Sequence, residues 1–462
     1  MPLRDLLMLS VLFVMVPAIL FRPHTGIILW AWTAMLVPNT FLYGIAQPVR
    51  FNLIFAVATL VSWFISKEPK KIPLNGTNVL LFVFLLWACI ATLFGVGEYD
   101  VRIQELTNLI KIVVFTVVIS ALVTNRLRLH ALLIGIALGM GYHGVAEGAK
   151  FIVSGGGHRV FGPGTSIIGD NNHFALAMIF LLPIIFYLYN YSAKRMVQLG
   201  FLVAGCLIFA SVIGTFSRGG LIAMAAVGAF WLLRSKYKIP MFAVMCIGLA
   251  FVVYFAPDHW FERMTTIRTA SEDGSFMGRV IAWKMSILLA LDHPIFGGGL
   301  HAIQNSDVWD HYVRDFHRLR FIPTGPPETT RAAHSVYFQL LADVGFVGLG
   351  LFLLILFRAW LSCSKLIKQT AGIPELEWVN GLARAFQVSF VAYCVAGAAL
   401  NMAYFEMLYV FVTLVAVQET IVKRHLAETL PDKEPLTDNS RERRRVAANP
   451  SQALGKPRNL RN

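Results

Sequence analysis

Charge is scarce in this chain. Only 14% of its 462 residues are Asp, Glu, Lys or Arg, against 56% hydrophobic residues. Soluble domains carry about 25% charged residues, so that class is excluded. Cysteine is also sparse: Cys89, Cys206, Cys246, Cys363 and Cys394 lie in or beside apolar runs. Such placement suits neither a disulfide framework nor a thiolate metal site. No Asp-x-Asp pair occurs anywhere. No cleavable leader is expected, because the first apolar run ends in Phe21-Arg22-Pro23-His24 and not in a small-residue cleavage site.

Long apolar runs are what the chain has instead. A membrane-crossing helix needs about 20 mainly apolar residues, and many runs meet that length. A β-barrel would alternate apolar and polar residues. The expected fold is therefore all-α: a polytopic membrane protein of about 12 transmembrane helices with one large extracytoplasmic loop. The net charge of +14 then reports topology, since Lys and Arg collect on the cytoplasmic side. Nucleic acid is not an expected partner; membrane lipids are.

Basic clusters at Lys67/Lys70/Lys71, Arg126/Arg128, Lys194/Arg195 and Arg234/Lys236/Lys238 mark cytoplasmic loops. Two apolar runs separate each consecutive pair, which is self-consistent. The spans read as Asn78–Gly95, Leu109–Val123, Leu129–Phe151, Asn172–Asn190, Val197–Gly214, Gly220–Leu233 and Ile239–Ala256. Then come His334–Leu361, Leu382–Leu400 and Ala403–Val422. Leu6–Leu20 and Gly26–Pro38 are short. One broken crossing at Arg22-Pro23 is preferred over two, since Arg4 sits better in the cytoplasm. Four regions follow: N-terminal helices (1–256), a polar island (257–333), C-terminal helices (334–422) and a cytoplasmic tail (423–462), disordered by composition. The tail's Arg441-Glu442-Arg443-Arg444-Arg445 run either touches anionic headgroups or is simply solvated.

The island from Pro257 to Ala333 carries many His and Arg residues. Over 257–334 it holds eight Lys/Arg and nine Asp/Glu, near neutral in a basic chain, as suits a translocated segment. Topology puts it on the same face as Ser154–Gly169 and the Thr215-Phe216-Ser217-Arg218 turn. Its Asp307, Asp310, His311, Asp315 and His317 are potential metal ligands, but their spacing fits no specific site. A solvated loop helix accounts for them better, and no metal or cofactor is expected.

Several residues could carry chemistry. Arg218, at the junction of two spans, is costly without an anionic partner. The bland alternative is snorkelling, but the flanking glycines favour close approach to a ligand. Arg159 follows Gly155-Gly156-Gly157-His158 and precedes Asp170-Asn171-Asn172. A Gly-rich loop entering a helix can bind an anion through backbone N–H groups; a flexible turn is the alternative. Arg279 and Trp283 share a helix face, set for a lipid-linked phosphate or for simple interfacial anchoring. His334, preceded by Arg331, begins the run Ser335-Val336-Tyr337-Phe338-Gln339-Leu340-Leu341. It is read as the first residue of a helix, sharing a face with Tyr337, Phe338 and Leu341. Imidazole can serve as a general base near neutral pH, while a buried histidine held by one hydrogen bond is the plainer reading. Arginines around one histidine could neutralise a pyrophosphate leaving group without a metal.

Together these motifs resemble those of the O-antigen ligase and polymerase superfamily of bacterial envelope proteins. The matches are Arg159 with Gly162 and Asn171-Asn172, and Ser217-Arg218-Gly219-Gly220. Gly278-Arg279 with Trp283, His293-Pro294-Ile295-Phe296-Gly297-Gly298-Gly299-Leu300 and His334 through Gly345 complete them. Arg4-Asp5-Leu6-Leu7 and Leu29-Trp30-Ala31-Trp32 are similar to O-glycosylation ligases of that superfamily. Ser335 stands where Asn is typical, and Asp343 where Glu is common. The resemblance implies a GT-C-like, metal-independent glycosyltransferase in the bacterial inner membrane, working at the periplasmic face. Its donor would be an undecaprenyl-pyrophosphate-linked glycan and its acceptor lipid A–core, in lipopolysaccharide biosynthesis. His334, Arg218 and Arg279 would be catalytic, with Arg159 joining the two arginines on the pyrophosphate. Trp283, Arg331, Gln339 and Asp343 would support them. An O-antigen polymerase or a protein O-glycosylation ligase would use similar residues. A lipid-linked sugar transporter is the rival outside enzymes.

Overall fold

The structure is a computed structural model that describes residues 2–234, 274–319, 324–325 and 329–429, with scattered positions between 238 and 250. The expected span Ile239–Ala256, the start of the island and most of the tail therefore lie outside the described residues. Residues 1–419 form one compact unit, and the chain from Thr420 a second.

Fourteen α-helices are described. They are α1 (Leu3–Phe21), α2 (Pro23–Leu36), α3 (Phe51–Ile65), α4 (Gly76–Leu93), α5 (Tyr99–Leu122), α6 (Arg126–Val153), α7 (Asn171–Tyr191), α8 (Arg195–Gly214), α9 (Arg218–Arg234), α10 (Gly274–Asp292), α11 (Ser306–Val313), α12 (Val336–Gln369), α13 (Glu377–Gly397) and α14 (Glu406–Thr429). Eight of them are long and apolar enough to cross a membrane. Outward-facing Phe13, Phe64 and Leu86 are largely exposed, as lipid-facing side chains must be. The chain is a multi-pass helical membrane protein.

The first fifty residues depart from the single broken crossing. Arg22 leaves helical geometry at φ −141°, and Pro23 starts a second helix. Proline disfavours the helical region for the residue before it and suits the first helical position. α1 and α2 therefore form an antiparallel hairpin. Asp5, fully buried, accepts hydrogen bonds from the backbone of Tyr43 (3.0 Å) and Ala46 (3.3 Å), beyond the end of α2. At the other end Ser62 donates to the Ile19 carbonyl at 2.6 Å. The start of α1 thus lies with the loop that follows α2, opposite the end where Arg128 pairs with Glu68.

Close packing of α6 requires small residues. A Cβ on Gly148 would fall onto the Leu207 carbonyl of α8, and one on Gly139 would sit 2.6 Å from the Trp32 carbonyl of α2. Small residues let helix backbones approach closely in lipid, and α6 is clamped between both neighbours.

The decisive element for the site is α12. It is two helices joined at Gly345, whose φ is +71°. A break in a spanning helix frees backbone groups that other segments must satisfy. Here His293-Pro294-Ile295-Phe296-Gly297-Gly298-Gly299 fills the break. Gly298 and Gly299 donate to the carbonyls of Ala342 (2.7 Å) and Asp343 (3.1 Å), and Phe346 donates to Pro294 (2.9 Å). Trp87 donates to the Val344 carbonyl at 3.0 Å. A Cβ on Gly297 would lie 2.6 Å from the Gly345 nitrogen, so the two glycines allow the clasp to close.

The described part of the island builds a small core of its own. Met285, Leu288 and Leu289 of α10 pack with Trp309 and Tyr312 of α11, Phe316, and Ala342 of α12. Buried Lys284 donates to Thr324 at 2.8 Å and stands 4.9 Å from the Phe316 ring centre.

Candidate functional site

At the end of the bundle opposite Arg128 and Glu68, α7 and α9 begin in contact, and the residue two before α12 lies within electrostatic reach of the start of α7. α7 starts at Asp170, whose carboxylate accepts from the backbone of Asn172 (2.8 Å) and His173 (3.4 Å). α9 starts at Arg218, with Ser217 Oγ accepting from Gly220 N at 3.0 Å. The same hydroxyl donates to Asn172 Oδ1 at 2.7 Å, and Asn171 donates to the Thr215 carbonyl at 2.9 Å. α12 starts after Ser335, whose side chain makes no capping bond. Helix N-termini present unpaired N–H groups and positive dipole ends, so this end is suited to an anion.

His334 does not begin the helix. Its φ is +44°, and α12 starts two residues later, at Val336. Sharing a helix face with Tyr337, Phe338 and Leu341 is thereby ruled out. Left-handed backbone is costly for a residue with a Cβ and collects at functional sites when the surroundings enforce it. Trp283 is part of that enforcement. Its Nε1 donates to the Ala333 carbonyl at 2.8 Å, and its ring stacks on Phe338 at 5.1 Å between centroids. Phe216, beside Arg218, is likewise left-handed, at φ +52°.

The charges around His334 define the site. Burial first, then neighbouring Arg279 and His173, hold its imidazole below the usual value; Asp170 pulls the other way and Arg331 adds to the lowering. Burial and the neighbouring arginines thus favour the uncharged form of the imidazole, the form that can accept a proton. Asp170 lies 3.5 Å from His173 Nδ1. Hydrogen bonding from His173 chiefly holds its carboxyl well below the usual carboxylate range, against burial. Arg331 lies over Gly278, where any Cβ would run into its guanidinium.

Arg279, Arg331, Asp170 and His173 thus gather about His334. Arg218 follows Ser217, whose hydroxyl bonds Asn172 at the start of α7, beside Asp170 and His173 in sequence. Arg159 lies further along the same network: its exposed guanidinium stands 5.1 Å from the Phe161 ring centre, and Val160 next to it donates to the Gly214 carbonyl at 2.8 Å. Gln339 and Asp343 make hydrogen bonds further along α12. Gln339 Oε1 accepts from Ala403 N at 3.1 Å. Buried Asp343 accepts from His301 N at 2.9 Å and from the Tyr404 hydroxyl at 3.1 Å, tying the clasp to α12. Among the described residues no group of three His, Cys, Asp or Glu is placed to hold a metal. In the island, Asp315 pairs with Arg318 at 3.5 Å and His317 bonds to the Arg314 carbonyl at 3.0 Å.

Residues 203–353 match the O-antigen ligase family. That match supports membership in the O-antigen ligase and polymerase superfamily. Residues 3–193 match a family of unknown function, DUF5935. No curated protein matches the chain. Members of the O-antigen ligase family are glycosyltransferase-like membrane enzymes that handle lipid-linked glycans. Its match contains Arg218, Arg279, Trp283, Arg331, His334, Gln339 and Asp343, whereas Arg159, Asp170 and His173 fall within the other match. His173 escapes a reading by motif, although Asp170 three residues earlier is an N-cap signal that places both side chains at one helix start.

Proposed function

We propose that the chain is an O-antigen ligase of the bacterial inner membrane, with its site on the periplasmic face. It would transfer a glycan from undecaprenyl pyrophosphate to a sugar hydroxyl of lipid A–core. What carries this reading is the placement of half-buried His334 within electrostatic reach of Arg279, Arg331 and the Asp170–His173 pair, just before a spanning helix begins. His334 takes the proton of the acceptor hydroxyl as its oxygen attacks the anomeric carbon, with inversion. The bond from that carbon to the pyrophosphate oxygen breaks, and its electron pair leaves with the pyrophosphate. Arg279, Arg218 and Arg159 hold the leaving group; guanidinium matches phosphate in bidentate geometry and stays charged. The basic clusters at the opposite end support this orientation by the charge rule.

Purified protein with the lipid-linked donor and lipid A–core should yield glycosylated lipid A–core without an energy source. Lengthening of the glycan on its carrier would instead identify a polymerase, and transfer to a protein acceptor a protein glycosylation ligase. Movement of the lipid-linked sugar across a bilayer with no new bond would identify a transporter.

The pH profile of that reaction provides a separate check. The acid limb of kcat/KM reports the free-enzyme base, so it should lie below about 6.5. Asp170 raises the proton affinity of His334 and Arg331 lowers it. Asp170→Asn should move the limb to lower pH, and Arg331→Gln to higher pH. Initial rates between about pH 5 and 8 cover the range where imidazoles titrate. A limb that stays put in both variants would remove His334 from the role.

A further inference from the structure

The opposite end of the bundle holds a cavity of about 660 Å³ between the end of α7, the end of α9 and the start of α13. That size lies within the range of about 300–1,000 Å³ typical of ligand sites. Its walls are apolar and aromatic. Phe186 meets Trp231 edge-on with centroids 4.7 Å apart, and Phe230 and Val388 extend this apolar wall. Its polar rim carries Arg234 and Arg384 against a single carboxylate, Glu377.

Both arginines are held in place with donors to spare. Arg234 Nη1 donates to Gln387 Oε1 at 2.5 Å, and its guanidinium stands 4.6 Å from the Phe230 ring centre and 5.6 Å from that of Trp360. Arg384 Nε donates to Asn380 at 2.8 Å, and its terminal nitrogens have no protein partner among the described residues. A third arginine, Arg126, stands 5.5 Å from the ring centre of Trp378, the residue after Glu377. Tyr191 shapes the floor. Its hydroxyl donates to the Glu377 carbonyl at 2.9 Å, and its ring lies against Gly381, where a Cβ would come within 2.6 Å of it.

Position and chemistry agree. Arg126, Arg195 and Arg234 all stand at this end of the helices, as expected at an anionic membrane surface. Basic pockets between spanning helices on that side take up anionic lipid headgroups. We propose that this cavity binds an anionic diacyl phospholipid, its phosphate between Arg234 and Arg384 and its upper acyl carbons along Phe186, Phe230 and Trp231. Glycan transfer plays no part in this reading, and either can fail alone.

The test uses the delipidated full chain and native mass spectrometry with phosphatidylglycerol, phosphatidylethanolamine and inorganic phosphate as separate probes. Phosphatidylglycerol should bind about tenfold or more tightly than phosphatidylethanolamine, as two cations facing an anionic headgroup require. Arg384→Gln, an exposed change with one local bond to lose, should remove most of that preference. The Arg234→Lys/Arg384→Lys double variant should keep it, which separates charge from fold. Equal binding of the two lipids, or an unchanged preference in Arg384→Gln, would overturn the proposal. Inorganic phosphate binding as tightly as phosphatidylglycerol would overturn it too, since the aromatic walls would then contribute nothing.

Discussion

Replacing His334 with alanine is expected to lower glycan transfer by about a hundredfold to ten-thousandfold, the range for loss of a positioned general base. The protein should stay folded. His334 lies outside α12, is only partly buried, and precedes the helix in a loop already held by Trp283. Alanine in the same left-handed backbone costs at most about 1–2 kcal/mol. The measurement is the initial rate of ligation by purified protein, beside its gel-filtration profile and thermal midpoint. A well-folded His334→Ala protein with full activity would refute the base assignment, whatever becomes of the ligase reading.

The second large effect is expected at Arg279. Arg279→Gln removes a donor proposed to hold the leaving pyrophosphate, and loss of one such electrostatic contact typically costs about a hundredfold to a thousandfold in kcat. It also removes the strongest single charge acting on His334. The imidazole's proton affinity rises, so the acid limb moves up and less of the base is free at pH 6. Arg279→Lys keeps the charge and loses the fork, so it should fall between wild type and glutamine. Steady-state rates at saturating donor distinguish two roles. A raised KM with unchanged kcat would mean that Arg279 binds donor and transition state equally, and its part in charge stabilisation would be gone.

Much of this protein can be read from its sequence because lipid is an exacting solvent. Spans must be long, apolar and helical, so α4 and α6 through α9 lie close to the runs that announce them, whereas α5 begins at Tyr99, ahead of the expected Leu109, through a polar first stretch. Arg218, Arg279 and His334 stand out because charge and imidazole are conspicuous among apolar neighbours. What escaped depends on backbone geometry. Arg22-Pro23 was legible as a break, but a break and a hairpin differ only in which way the second helix points. Ser335 before Val336 is an N-cap signal that places His334 outside the helix, yet its left-handed backbone comes from contacts with α10. His293 through Gly299 gives no hint of its role as a clasp, since its partners, Ala342 to Phe346, lie more than forty residues on. Nor do Asp170 and His173 advertise that they face a histidine 160 residues away.

The hydrogen bond from Ser217 to Asn172 joins the O-antigen ligase match to the family of unknown function that precedes it. The seam between the two families therefore runs through the candidate site. Neither segment owns the imidazole's environment: one carries His334 and most of its arginines, the other the Asp170–His173 pair that counters and adds to them. A chimera that exchanged only residues 203–353 would inherit the proposed base, His334, but not the Asp170–His173 pair beside it. The portable unit is larger than the ligase segment and has to include the start of α7.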